Sequence, residues 1–140
     1  MNAEDLNKLL DHSLSLACDQ LEKEGFFHPF SFALSHDGEL MRSGELSEEE
    51  QGKDAEDIIK QMNASLESGC RQKMHKAIAV VSAVKVERFV SEGYVKAIEA
   101  MIEHEDGTAY DCFLPYKSVG DQVQYGTLFS TPFDSIKFNQ

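Results

Sequence analysis

Five histidines, three cysteines and a surplus of carboxylates are the residues of this chain able to do chemistry. Histidine is the commonest general base and metal ligand. His12 falls on an amphipathic stretch with no partner at ligand spacing, and His28 and His36 flank a predicted strand. His75 precedes a second strand and His104 a turn. No HxH or HExxH arrangement joins any two of them, so the expectation is turn and surface histidines and no metal site. Among the thiols, Cys112 invites a nucleophile hypothesis, but its neighbour Asp111 is an anion that opposes thiolate formation. On a strand Cys112 would share a face with Tyr110 and Leu114, which makes it a core residue. Glu99 and Glu103 share one face of another predicted strand and are expected to be solvated rather than an acid/base dyad. The chain has no GxxxxGK[ST], no GxGxxG after a strand and no GxSxG, so phosphate cradles and nucleophile elbows are not signalled.

These residues must be positioned by a mixed set of elements. Leu6, Leu9, Leu10, Leu14, Ala17 and Leu21 recur at helical spacing and predict a helix over 2–24, with Gly25 as a left-handed cap. Phe30, Phe32 and Leu34 alternate with Ser31, Ala33 and Ser35, the period of a strand with one buried face. Asp37-Gly38 then supplies the pair that a type I′ hairpin turn takes, and 39–46 returns as a second strand. Ser47 with Glu50, or Asp54, offers a helix cap before Ala55, Ile58, Ile59, Met62, Leu66 and Cys70, which predict a helix over 54–72.

The remainder is strand-like. AIAVVSAVKV, within 76–89, is nearly continuous and β-branched, as a central strand buried on both faces at its start would be. Residues 94–105 form another strand, Asp106-Gly107 a second I′ turn, and 108–116 a third strand in the meander. Residues 123–129 add a further one, and 130–140 form a tail that is loosely ordered. The order α-β-β-α-β-β-β(-β) gives an α+β fold, a single domain over 1–140, with two helices packed on one face of one mainly antiparallel sheet.

Composition narrows the function. Thirteen basic against 25 acidic residues leave a net charge of −12, a field that repels nucleic acid and anionic lipid. The three cysteines, Cys18, Cys70 and Cys112, form no CxxC pair and suit reduced thiols in a cytoplasm. The N-terminal segment is acidic and lacks a signal peptide's apolar run, and no stretch approaches the roughly 18 apolar residues of a membrane span.

The segments LEKEGFFHPFSFALSHDGEL, HEDGTAYDCFLPYK and VQYGTLF resemble a widespread set of small bacterial proteins without an established reaction. The landmarks are Pro29-Phe30, Asp37-Gly38, Asp106-Gly107, Phe113-Leu114-Pro115-Tyr116 and Tyr125-Gly126, and the similarity runs from Leu6 to Phe129. It implies a bacterial, intracellular protein, and it implies no cofactor. What remains as a binding surface is Tyr116, Lys117, Tyr125 and Phe129, because tyrosine combines an apolar body with a polar tip and favours interfaces. The leading expectation is a non-enzymatic interaction module with a protein partner or a second copy of itself. The alternatives are a small enzyme built on His28, His36, Asp111 or Cys112, and a sensory domain with an apolar pocket between helix and sheet.

Overall fold

The computed structural model describes residues 2–43, 55–86, 93–135 and 137–138. The described elements are α1 (Asn2–Glu24), β1 (Phe30–Leu34), β2 (Leu40–Ser43), α2 (Ala55–Arg71), β3 (Ala77–Lys85), β4 (Lys96–His104), β5 (Ala109–Val119), β6 (Gln122–Tyr125) and β7 (Phe129–Pro132). This is the expected α+β class and order. All pairings are antiparallel, and the sheet runs β2-β1-β3-β4-β5-β6, with β7 beside β6 on the outer edge of β5. The expected second strand beyond Ser43, the Ser47, Glu50 and Asp54 caps, and the 87–89 end of the strand expected within 76–89 lie outside the described residues. Among the described residues, no helix is long and apolar enough to cross a membrane.

The two helices pack on opposite faces of the sheet, not on one. On the α1 face lie Phe30, Phe32 and Leu34 of β1, Ala77, Ala79 and Val81 of β3, and Ile98, Ala100 and Ile102 of β4, beneath Leu9, Ala17 and Leu21. The alternate residues Ala33, Ile78 and Val80 form a second core under Ile58, Met62, Leu66 and Cys70 of α2. Period two sends successive side chains to opposite faces, so a strand pressed between two helices is buried along its length. That is why β1 is buried at every position, Ser31 included, although its Ser and Ala positions look like a solvent face. The β3 strand is buried through its first six residues, as its continuous apolar run predicts. Helix α1 spans β1, β3 and β4 and touches β6, whereas α2 reaches chiefly β1 and β3. The face of β4, β5 and β7 opposite α1 therefore has no helix over it among the described residues.

The hairpin turns also depart from expectation. Only the glycines of the Asp-Gly pairs take positive φ, 87° at Gly38 and 95° at Gly107, so neither turn is type I′. Instead Gly38 N donates to Ser35 O (3.0 Å) and Ser35 N to Glu39 O (2.9 Å), and His104 to Thr108 repeats the pattern. Each is a three-residue loop in which the glycine takes the left-handed position. His36 and Glu105 thus occupy equivalent first positions in two loops at one end of the sheet.

The described residues of the C-terminal segment pack on the sheet. Residues Phe129–Pro132 pair with β5, and Lys137 closes over the sheet face. Glu103 is 1% exposed and accepts hydrogen bonds from the Ser135 hydroxyl (2.9 Å), the Lys137 amide (3.0 Å) and Lys137 Nζ (3.2 Å). Glu103 is thus a buried, countercharged anchor and not part of a solvated face. A buried carboxylate stripped of its cation is strongly unfavourable. Lys137→Ala is expected to destabilise the fold by about 3 kcal/mol in urea unfolding, and Glu103→Gln combined with it to restore part of the loss. Equal stability of Lys137→Ala and the parent chain would refute this anchoring.

Candidate functional site

The uncovered half-face is built from alternate positions of three strands. In register, Glu99 of β4 lies opposite Phe113 of β5, and Met101 opposite Asp111. Phe113 in turn pairs with Phe129 of β7, and Asp111 with Thr131. Antiparallel partners point to the same side, so Glu99, Met101, Asp111, Phe113 and Phe129 form one contiguous patch. All five are partly exposed. The Phe113 and Phe129 rings stack with centroids 5.0 Å apart and planes 16° from parallel.

Glu99 and Asp111 are diagonal neighbours on that patch and share a hydrogen bond. Such contact between two carboxyl groups needs a proton between them, because two carboxylates at that distance repel. Burial is the largest cause that pushes the Glu99 carboxyl up, and Asp111 adds to it, to about 8. Burial raises Asp111 as well, while its bond to Glu99 works in the opposite direction. Burial and the neighbouring acid thus both favour a protonated Glu99 carboxyl. Asp111 Oδ1 meets no hydrogen-bond donor among the described residues.

The four residues singled out from sequence do not form one surface. Tyr116 is 8% exposed in the α1 core, and Tyr125 is its partner across the ladder on the same side. Burial raises the Tyr125 phenol, and Cys18 and Glu22 of α1 contribute to the same shift. Phe129 and Lys117 belong to the opposite face, with Lys117 Nζ 4.6 Å from the centre of the Tyr94 ring. Phe129 alone of the four joins the patch. Asp111 is a sequence candidate as part of a small enzyme, Glu99 is half-buried rather than the solvated acid expected, and Met101 enters only through the strand register.

Cys112 lies in the α1 core at 4% exposure, where burial, then Asp111, pushes its thiol up to about 11. A thiol so disposed is not a nucleophile at neutral pH. His28 packs edge-on against Phe26 at 5.4 Å. His36 pairs with Glu105 at 2.7 Å, and the strands β3 and β4 separate β1, which leads to His36, from the β5 strand that carries Cys112. Beneath α1, a cavity of about 230 Å³ is lined by Leu6, Leu10, Ile102, Tyr110 and Cys112. It falls short of the roughly 300–1,000 Å³ usual for ligand sites. Among the described residues, no group of three or more His, Cys, Asp or Glu side chains is placed to hold a metal ion. No family model matches the chain, and searches of curated proteins and of solved structures gave no match.

The shared proton has a sign that can be measured. Folded Glu99 keeps a proton that the unfolded chain releases near 4.5, so stability falls as pH rises from about 4.5 to about 8. Glu99→Gln removes that dependence. After allowance for solvent screening, it is expected to be more stable than the parent by about 1 kcal/mol at pH 9 and equal to it at pH 4 in urea unfolding. A variant less stable at pH 9 than at pH 4, relative to the parent, refutes the shared proton.

Proposed function

We propose that the protein is a non-enzymatic interaction module of the bacterial cytoplasm that docks a basic protein partner on the open face of β4, β5 and β7. The observation that carries this reading is the Glu99–Asp111 pair, two acids held together at a half-buried position with Asp111 Oδ1 lacking a donor. A lysine or arginine from a partner pairs with the partly exposed Glu99 and Asp111 carboxyl groups and replaces the proton between them with a fixed positive charge. The stacked Phe113 and Phe129 beside it offer a flat apolar wall for the methylene stem or guanidinium plane. A net charge of −12 steers a basic protein toward the chain and raises its association rate.

The same electrostatics rank the alternatives. A second copy seated on this face would bring two carboxyl pairs together in a drying interface, which is unfavourable. A heterologous basic partner suits the face better than a homodimer. The enzyme reading has weaker support, since Cys112 and His36 lie apart and the Glu99–Asp111 pair occupies an open face rather than a closed pocket.

Titration of the full chain with short peptides carrying one arginine between apolar residues tests the reading. Amide signals of Met101, Phe113 and Phe129 are expected to shift, with release of up to one proton per peptide at pH 7. Replacing the arginine with citrulline, or Glu99 with Gln, is expected to weaken binding at least about tenfold, the usual scale for losing a charge-assisted contact. Peptide binding that ignores both changes, or that shifts other residues, overturns it.

A further inference from the structure

A second feature lies at the end of the sheet where the His36 and Glu105 loops meet. The α2–β3 connection and the C-terminal segment close around them to leave a pocket of about 370 Å³. Arg71, Lys73, His75 and Phe138 line it, together with His36, Glu105 and Lys137. In a chain of net charge −12 this is a local reversal of sign. Lys137 is paired with Glu103 at 3.2 Å, and Glu105 is hydrogen-bonded to His36 at 2.7 Å, so Arg71 and Lys73 outnumber the one acid left in the lining.

Two observations separate this pocket from an ordinary helix end. His75 is 9% exposed, and its Nδ1 has no hydrogen-bond partner among the described residues. Its Nε2 lies over Gly69, where a Cβ would collide with the ring, so a residue without a side chain in α2 admits the imidazole. Burial, and then His36, pushes His75 down from its ordinary value. A neutral ring with Nε2 against the helix leaves Nδ1 buried and, among the described residues, without a partner at the pocket wall. A buried polar atom left alone is unfavourable, and native proteins keep few of them without reason.

Lys73 is the second. It takes φ 60°, the single positive φ of a non-glycine among the described residues. Lys73 N donates to Cys70 O at 3.1 Å and Met74 N to Gly69 O at 2.9 Å, so Lys73 occupies the left-handed position of a Schellman cap. Glycine is the residue that position favours, and a lysine there is strained. If closing α2 were the sole demand at position 73, nothing would favour a long cation over glycine. The side chain that accompanies the strain lines the pocket.

We propose that this pocket binds a small phosphate monoester, its phosphate held by Arg71 and Lys73 beside the His75 ring, and its apolar part against Phe138. Two cations match a dianion, and arginine presents paired donors to phosphate oxygens. The site shares no residue with the Glu99–Asp111 face, so it stands or falls independently of the docking reading.

Phenyl phosphate titrated into the full chain, followed by the imidazole signals of His75 and His36, tests this. Saturable shifts at both rings are expected, with benzoate binding at least fivefold more weakly because it carries one charge, on the scale of one lost ionic hydrogen bond, about 1 kcal/mol. Arg71→Gln and Lys73→Gly are each expected to weaken phenyl phosphate at least fivefold by the same scale of about 1 kcal/mol. Lys73→Gly should at the same time raise the urea midpoint, because glycine relieves the backbone. Binding and stability then move in opposite directions, which a merely structural lysine would not produce. Absence of saturable shifts at His75, unchanged affinity in both variants, or benzoate binding as tightly as phenyl phosphate overturns the proposal.

Discussion

The width of α2's footprint is the constraint on which the rest of the molecule depends. One face of the sheet is closed by α1, which lies across β1, β3 and β4 and touches β6. Among the described residues, α2 closes the other face chiefly over β1 and β3. The strands most securely buried are therefore the two held between helices, and β1 is buried at all five positions. Beyond that shelter, β4, β5 and β7 must present a face that tolerates water without inviting aggregation, and they do so with carboxyl groups set among aromatic and apolar residues. The same limit places the end of α2, with Arg71 and the Lys73 cap, at the rim of the sheet where two hairpin loops converge.

Carboxylates on this framework meet three different fates, each set by what surrounds them. Glu103, adjacent to the α2 core, is wholly enclosed and is neutralised by Lys137. Asp5 on α1 would be raised by burial, but hydrogen bonds from His104 (3.0 Å) and Lys76 (3.1 Å) outweigh that and hold it below its ordinary value. That contact ties the first turn of α1 to the same end of the sheet as the His36–Glu105 bridge. Glu99 and Asp111 have no such cation among the described residues and settle their repulsion with a proton. A chain rich in acids thus distinguishes between those it pins and those it leaves poised.

Much of this framework is legible in the sequence. The Leu6-to-Leu21 periodicity marks α1 at its observed Asn2–Glu24 span, and the apolar run of β3 announces a strand buried on both faces at its start. Ser31 and Ala33 mislead, because small residues suit a close helix contact as well as a solvent face, and so the second helix was expected on the wrong side. Aspartate before glycine marks both hairpins but not their type, since only the glycine adopts positive φ. The segment from Val123 reads as one strand although Gly126 marks the break between β6 and β7 on the edge of β5, because a lone glycine also suits a strand interior or bulge. Glu99 and Asp111 are twelve positions apart, and only the ladder register makes them neighbours. The phosphate pocket draws on four separate segments, so neither spacing nor motif could reveal it.

The account places function where the fold leaves electrostatic tension unresolved, and the shared proton of Glu99 and Asp111 is its centre. The most direct measurement is a carbon-detected NMR titration of the Glu99 and Asp111 carboxyl groups in the intact chain. Coupled titration of the two, with the upper step near 8, is the predicted result. Independent titration of both near the ordinary carboxylate range would show two solvated acids and contradict the docking face built on them.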